Sequence, residues 1–125
     1  MSENEISYKI RGAIFKVYNG LGPGLLESVY ESALYYQLQK DGLQIVKQID
    51  FPVKYDEAYL DITFRLDILV ENKVIIELKS VEEIKPIHFK QLNTYLKLTN
   101  KKLGLLVNFN CSNILENIHR VVNKI

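Results

Sequence analysis

The chain has no tryptophan, a single cysteine, two histidines and almost no net charge, and each shortage removes a class of function. Cys111 has no partner for a disulfide within the chain, and neither a four-cysteine zinc site nor a cysteine-held iron–sulfur cluster can be assembled from one thiol. His88 and His119 do not have the spacing of a zinc motif. Sixteen basic against fifteen acidic residues leave +1, so no whole-molecule field draws in nucleic acid. Contact with it would rest on local clusters such as Lys97, Lys101 and Lys102, or Lys85 and Lys90, which otherwise read as ordinary solvated faces. There is no apolar run of membrane-spanning length and no signal-peptide pattern, so a cytoplasmic location is the expectation. With three prolines and six glycines, no Pro/Gly/Ser-rich linker divides the sequence. At 47% hydrophobic, residues 1–125 are expected to form one domain with one core.

What is present is a run of periodic segments in the order helix, helix, strands, helix, strand, helix. Ile6, Ile10, Ala13, Ile14 and Val17 recur with helical period. The run Gly20-Leu21-Gly22-Pro23-Gly24 then breaks the chain, without the spacing of a phosphate-binding loop or a dinucleotide fingerprint. Leu26, Val29, Tyr30, Ala33, Leu34 and Leu38 predict a second helix that Gly42 can end. Strands are expected over Leu43 to Val53 and Tyr55 to Phe64, with Pro52 marking an edge, a bulge or a break. Leu103 to Phe109 reads as a buried strand reached by a crossover. Ser112 is placed to cap a last helix with the inner stripe Leu115, Ile118, Val122 and Ile125.

The most informative segment is the pair of apolar runs Ile62 to Val70 and Val74 to Leu78, joined by the polar turn Glu71-Asn72-Lys73. If Val70 pairs with Val74, an antiparallel ladder sets Asp67 opposite Glu77, with β-carbons roughly 5 Å apart. Alternation puts Glu77 and Lys79 on one face, and Ile76 and Leu78 on the other. Two facing carboxylates in apolar strands repel and resist ionisation unless something compensates. A hard cation such as Mg²⁺ would do so, leaving room in its shell for water and phosphate, and a nearby lysine could orient or deprotonate the attacking water. Acidic residues on strands also occur simply on solvated faces.

Downstream, Pro86 to Leu98 predicts a helix with proline in its first turn and Leu92 and Leu96 on its apolar stripe. Gln91 and Tyr95, four residues apart, share one face, with His88 beside them. The succession Asp67, Glu77-x-Lys79, Gln91-x-x-x-Tyr95 resembles the PD-(D/E)XK nuclease superfamily, and its glutamine–tyrosine element resembles the RecB-like branch. A narrower resemblance runs through Gly22 to Glu31, Arg65-Leu66-Asp67, Glu77 to Val81, Gln91 to Leu96 and Leu103 to Phe109, and is similar to the GxxExxR family. Tyr30 stands at the third position of that family's named motif. Asn110 stands where glycine is expected, in a turn that a left-handed asparagine could preserve.

The resemblance implies a three-layer α/β/α restriction-endonuclease-like fold with a mixed central sheet, and phosphodiester hydrolysis, with DNA the expected substrate. It implies that Asp67, Glu77 and the Leu78 carbonyl hold one or two Mg²⁺ or Mn²⁺ ions. Glu27 would be a third acidic group that completes or orients that metal shell, and Lys79 would assist the nucleophilic water. Gln91 and Tyr95 would position the site or the strand. Glu27 also has a local explanation, since an acidic side chain in a helix's first turn interacts favourably with the dipole. The small domain suggests a homodimer or a partner subunit to grip substrate. The competing expectation is a non-catalytic nucleic-acid or protein interaction module on the same fold.

Overall fold

The first helix starts where the sequence supplies its own cap. Ser2 Oγ accepts the Glu5 N–H at 3.2 Å, and the Glu5 carboxylate turns back to the Ser2 backbone. In the computed structural model, which describes residues 1–124, this helix is α1 (Glu3–Leu21). It is followed by α2 (Glu27–Lys40), β1 (Ile45–Tyr55), β2 (Ala58–Val70), β3 (Val74–Lys79), α3 (Pro86–Thr99), β4 (Leu103–Asn108), a 3-10 turn (Ile114–Asn117) and β5 (Ile118–Val122). The five strands lie in sequence order, and every pairing is antiparallel except β3 with β4, which the α3 crossover makes parallel. No helix among the described residues is long and apolar enough to cross a membrane.

Each face of this mixed sheet is covered, giving three layers. On one face Ile6, Ile10, Ala13, Ile14 and Val17 of α1, with Tyr30, Leu34 and Leu38 of α2, pack on Ile68, Val70, Val74, Ile76, Leu78, Leu103, Leu105 and Val107. On the other, Leu92 and Leu96 of α3 pack on Leu66, Leu69, Ile75 and Leu106. The expected helical stripe of α1 is therefore the buried one. In α2 the stripe narrows, because Leu26 precedes the helix and is 75% exposed while Val29 is 40% exposed. The break before α2 uses left-handed backbone at Gly22 and Gly24 (φ 71° and 96°).

Close approach between α3 and the sheet depends on Gly104. A Cβ built there would lie 2.8 Å from Leu92 Cδ1 and 3.0 Å from Leu92 Cγ, inside a fully buried contact. Gly104→Ala is expected to cost about 1–3 kcal/mol in urea denaturation, as overpacking of a closed core does.

The expectations for the second strand, the last helix and its cap are corrected, while the one for Pro52 holds. Residues 58–70 form one long strand, not two, and Tyr55 belongs to β1; the reversal comes at Asp56-Glu57, both at positive φ. Pro52 sits on the edge strand next to a register shift, and proline's missing N–H is harmless there. The last helix does not form. Asn113, not Ser112, accepts the Leu115 N–H and caps a 3-10 turn, after which Ile118–Val122 run as β5. Of the expected stripe only Ile118 is buried; Leu115 and Val122 are about half exposed, and Ile125 lies outside the described residues. All of β4 is buried, so its second edge needs a partner for its N–H and C=O groups, and β5 supplies it from Leu103↔Val122 to Val107↔Ile118. A three-to-four-residue apolar spacing over so short a segment fits either period.

Candidate active site

β2 and β3 pair through Val70↔Val74, Leu69↔Ile75 and Ile68↔Ile76, the expected register. The ladder stops at the next rung, which belongs to Asp67 and Glu77. Side chains replace backbone there: the Asp67 N–H donates to Glu77 Oε1 at 3.3 Å, and the Leu78 N–H donates to Asp67 Oδ2 at 2.9 Å. Side-chain alternation slips at the same point in β2. Phe64 and Leu66 pack on the α3 side, Ile68 and Val70 on the α1 side, and Gln48 at the matching level of β1 takes a φ of 52°. The Asp67 carboxylate consequently reaches sideways into the fork between the strands.

Glu77 is only 6% exposed, and its electrostatics follow from that burial. Desolvation, then the charge of Asp67 and a hydrogen bond with its side chain, push the Glu77 carboxyl up to about 9, against smaller downward pulls from the Asp67 N–H and from Lys79. Burial and the neighbouring acid thus favour the protonated form of Glu77. Two acidic groups held together at a buried site suit a divalent cation, which can take the place of a proton. The Leu78 carbonyl has the right direction to join it. Lys79 O accepts the N–H of Phe109, just past the end of β4, at 2.9 Å, so by alternation the Leu78 backbone groups face the opposite way, toward Asp67.

The other expected residues are placed less uniformly. Lys79 is half-buried at the end of β3, close enough to act on Glu77. Tyr95 is half-buried and stacks on Phe64 with centroids 4.8 Å apart. Burial raises the pKa of its phenol, as do the charges of Glu77 and Asp67, while Gln91 beside it pulls the other way; Tyr95 thus lies within electrostatic reach of the carboxylate pair. Glu27 does not join the pair in a cluster. Its Oε1 accepts the Ser80 N–H at 3.2 Å just past the end of β3, and among the described residues no three His, Cys, Asp or Glu side chains form a ready cage for an ion. His88 spends its Nδ1 on the Lys85 N–H at 3.0 Å, capping α3.

Sequence reasoning missed Ser80 and Asn108, which fix the chain leaving the site. Ser80 Oγ donates to Leu25 O at 2.6 Å. The buried Asn108 amide brackets Val81, accepting its N–H at 3.1 Å and donating to its carbonyl at 2.9 Å. Asn108 Oδ1 also takes the Asn110 N–H at 3.2 Å, and Asn110 is not left-handed, contrary to expectation; the side-chain bond shapes that turn instead. The available signal was position: Ser80 directly follows Lys79, and Asn108 ends an otherwise apolar strand.

The chain thus brings an acidic pair, a lysine two residues beyond it and a supporting helix face to the fork of a mixed sheet. No curated protein matches the chain. The family model of the PD-(D/E)XK nuclease superfamily matches residues 4–121, a span from α1 into β5 that includes the whole fork, and the chain belongs to that superfamily and has its restriction-endonuclease-like fold.

Proposed function

We propose that this protein is a Mg²⁺- or Mn²⁺-dependent nuclease that hydrolyses phosphodiester bonds in DNA in the cytoplasm, and that it belongs to the GxxExxR family within the RecB-like branch. The observation that carries the reading is the buried Glu77 held against Asp67 with its pKa pushed up to about 9, a pair in want of a cation. Asp67, Glu77 and the Leu78 carbonyl are the groups that would hold the ion. When bound, the ion polarises the phosphate and lowers the pKa of a water. Lys79 orients that water and neutralises charge building on the phosphate. The Tyr95 phenol, fixed by the Phe64 stack, and the Gln91 amide beside it hold the strand beside the carboxylates. Glu27, tied to Ser80, holds the β3 exit in place and supports the acidic pair from outside. With a net charge of +1, the domain grips a duplex through a second copy or a partner subunit.

A metal-dependent cleavage screen over single-stranded, double-stranded, flapped and four-way DNA, and over RNA, tests this. Cleavage of DNA is expected with Mg²⁺ or Mn²⁺, and Glu77→Ala, prepared identically, is expected to be inactive, which excludes a contaminating nuclease. Binding of these substrates without cleavage by the wild type in either metal would replace the nuclease with an interaction module.

A further inference from the structure

We propose that Tyr30 is the positioning residue for Glu27, acting through the Gly22–Leu25 turn and Ser80. The Tyr30 ring is fully buried and stacks on Phe109, with centroids 4.3 Å apart and planes 7° from parallel. Its hydroxyl is not left idle in that core. It donates to Gly22 O at 2.6 Å and accepts the Leu25 N–H at 3.1 Å, closing the turn just before α2 across its two ends. Gly22 and Gly24 hold φ of 71° and 96°, so this turn has an unusual path that few local contacts would otherwise fix. Leu26, at the N-cap of α2, makes no side-chain cap bond.

The turn then reaches the strand that carries the acidic pair. Leu25 O accepts Ser80 Oγ at 2.6 Å, and Glu27 Oε1 accepts the Ser80 N–H at 3.2 Å. Ser80 is thereby held by two groups of one segment, and that segment is closed by one phenol. The far side is locked as well, by Asn108 on Val81 and by the Phe109 N–H on Lys79 O at 2.9 Å. Phe109 is also the residue on which Tyr30 stacks, so the phenol's ring and its hydroxyl act on the same two-sided clamp. Glu27 in an exposed first turn would otherwise sample several rotamers; the clamp selects the one that meets Ser80, just past the end of β3. The positioning of Glu27 stands independently of the chemistry, while its consequence for metal affinity rests on the nuclease reading.

The test uses Tyr30→Phe, which keeps the ring stack and removes only the hydroxyl. In amide hydrogen exchange by NMR, the Ser80 amide is expected to exchange about tenfold faster in Tyr30→Phe, while core-strand amides such as Leu105 stay protected. Ser80→Ala should free the turn in the same way, and Ser80→Thr, which retains a hydroxyl, should restore it. Mn²⁺ affinity by calorimetry is expected to fall about tenfold in Tyr30→Phe, in the range of losses seen when a ligand's support is removed. Adding Glu27→Gln should bring no comparable further loss, since both changes remove one arrangement. Unchanged Ser80 exchange in Tyr30→Phe overturns the proposal. So do Mn²⁺ losses that simply add, which would reveal general destabilisation. If Ser80 responds as expected but the wild type binds no Mn²⁺, the clamp stands and the metal-dependent reading falls.

Discussion

Lys79→Ala is expected to lower the single-turnover cleavage rate, with DNA and metal saturating, by on the order of a hundredfold or more. The side chain is half-buried at the end of β3, two residues beyond Glu77 on the same strand, and its charge acts on that carboxyl. Thermal stability should hardly change, because Lys79 belongs to neither hydrophobic cluster of the core. Affinity for DNA should fall only slightly, since one phosphate contact belongs to the salt-sensitive, sequence-independent part of binding. Cutting at the wild-type rate under saturating conditions would remove Lys79 from the proposed chemistry, and a large loss of affinity with an unchanged rate would make it a binding residue instead.

The second large effect lies in how the metal-free protein's stability depends on pH. The Glu77 carboxyl titrates near 4.5 when unfolded and is held up to about 9 in the fold. Between those values the folded state keeps a proton that the unfolded state has lost, so stability falls as pH rises. The contribution is fully present below about 4.5 and is lost as pH climbs through about 9. The slope is at most about 1.4 kcal/mol per pH unit. Urea denaturation from pH 5 to 9 in chelator measures it. Glu77→Gln, which keeps the volume and a donor toward Asp67, should flatten the profile; a wild-type slope in that variant would assign the pH dependence elsewhere. Mn²⁺ should reverse the loss at alkaline pH by binding the native state alone, and Asp67→Asn should remove most of that metal-induced rise in Tm while remaining folded.

Local chemistry in the sequence determined the frame of this site. The short turn after Val70 fixed a register that brought Asp67 to Glu77, because an antiparallel ladder leaves no freedom once one rung is set. Alternation put Ile76 and Leu78 in the core, away from Glu77. The spacing of Leu92 and Leu96 fixed which face of α3 meets the sheet, and with it where Gln91 and Tyr95 stand. These are relations within one element or across one tight turn, where spacing translates directly into geometry. Only the tertiary structure decided the rest. Ile118 to Val122 have a spacing that suits a helix, and became a strand because the buried β4 had an edge to satisfy. Glu27 is separated from Ser80 by 53 positions, and no local rule brings a first-turn glutamate to that N–H instead of to the acidic pair. Asn108, an isolated polar residue in an apolar strand, acquires its role only when Val81 folds back across it. The raised pKa of Glu77 is likewise a property of the closed core, since desolvation, its largest cause, exists only once α3 covers the sheet.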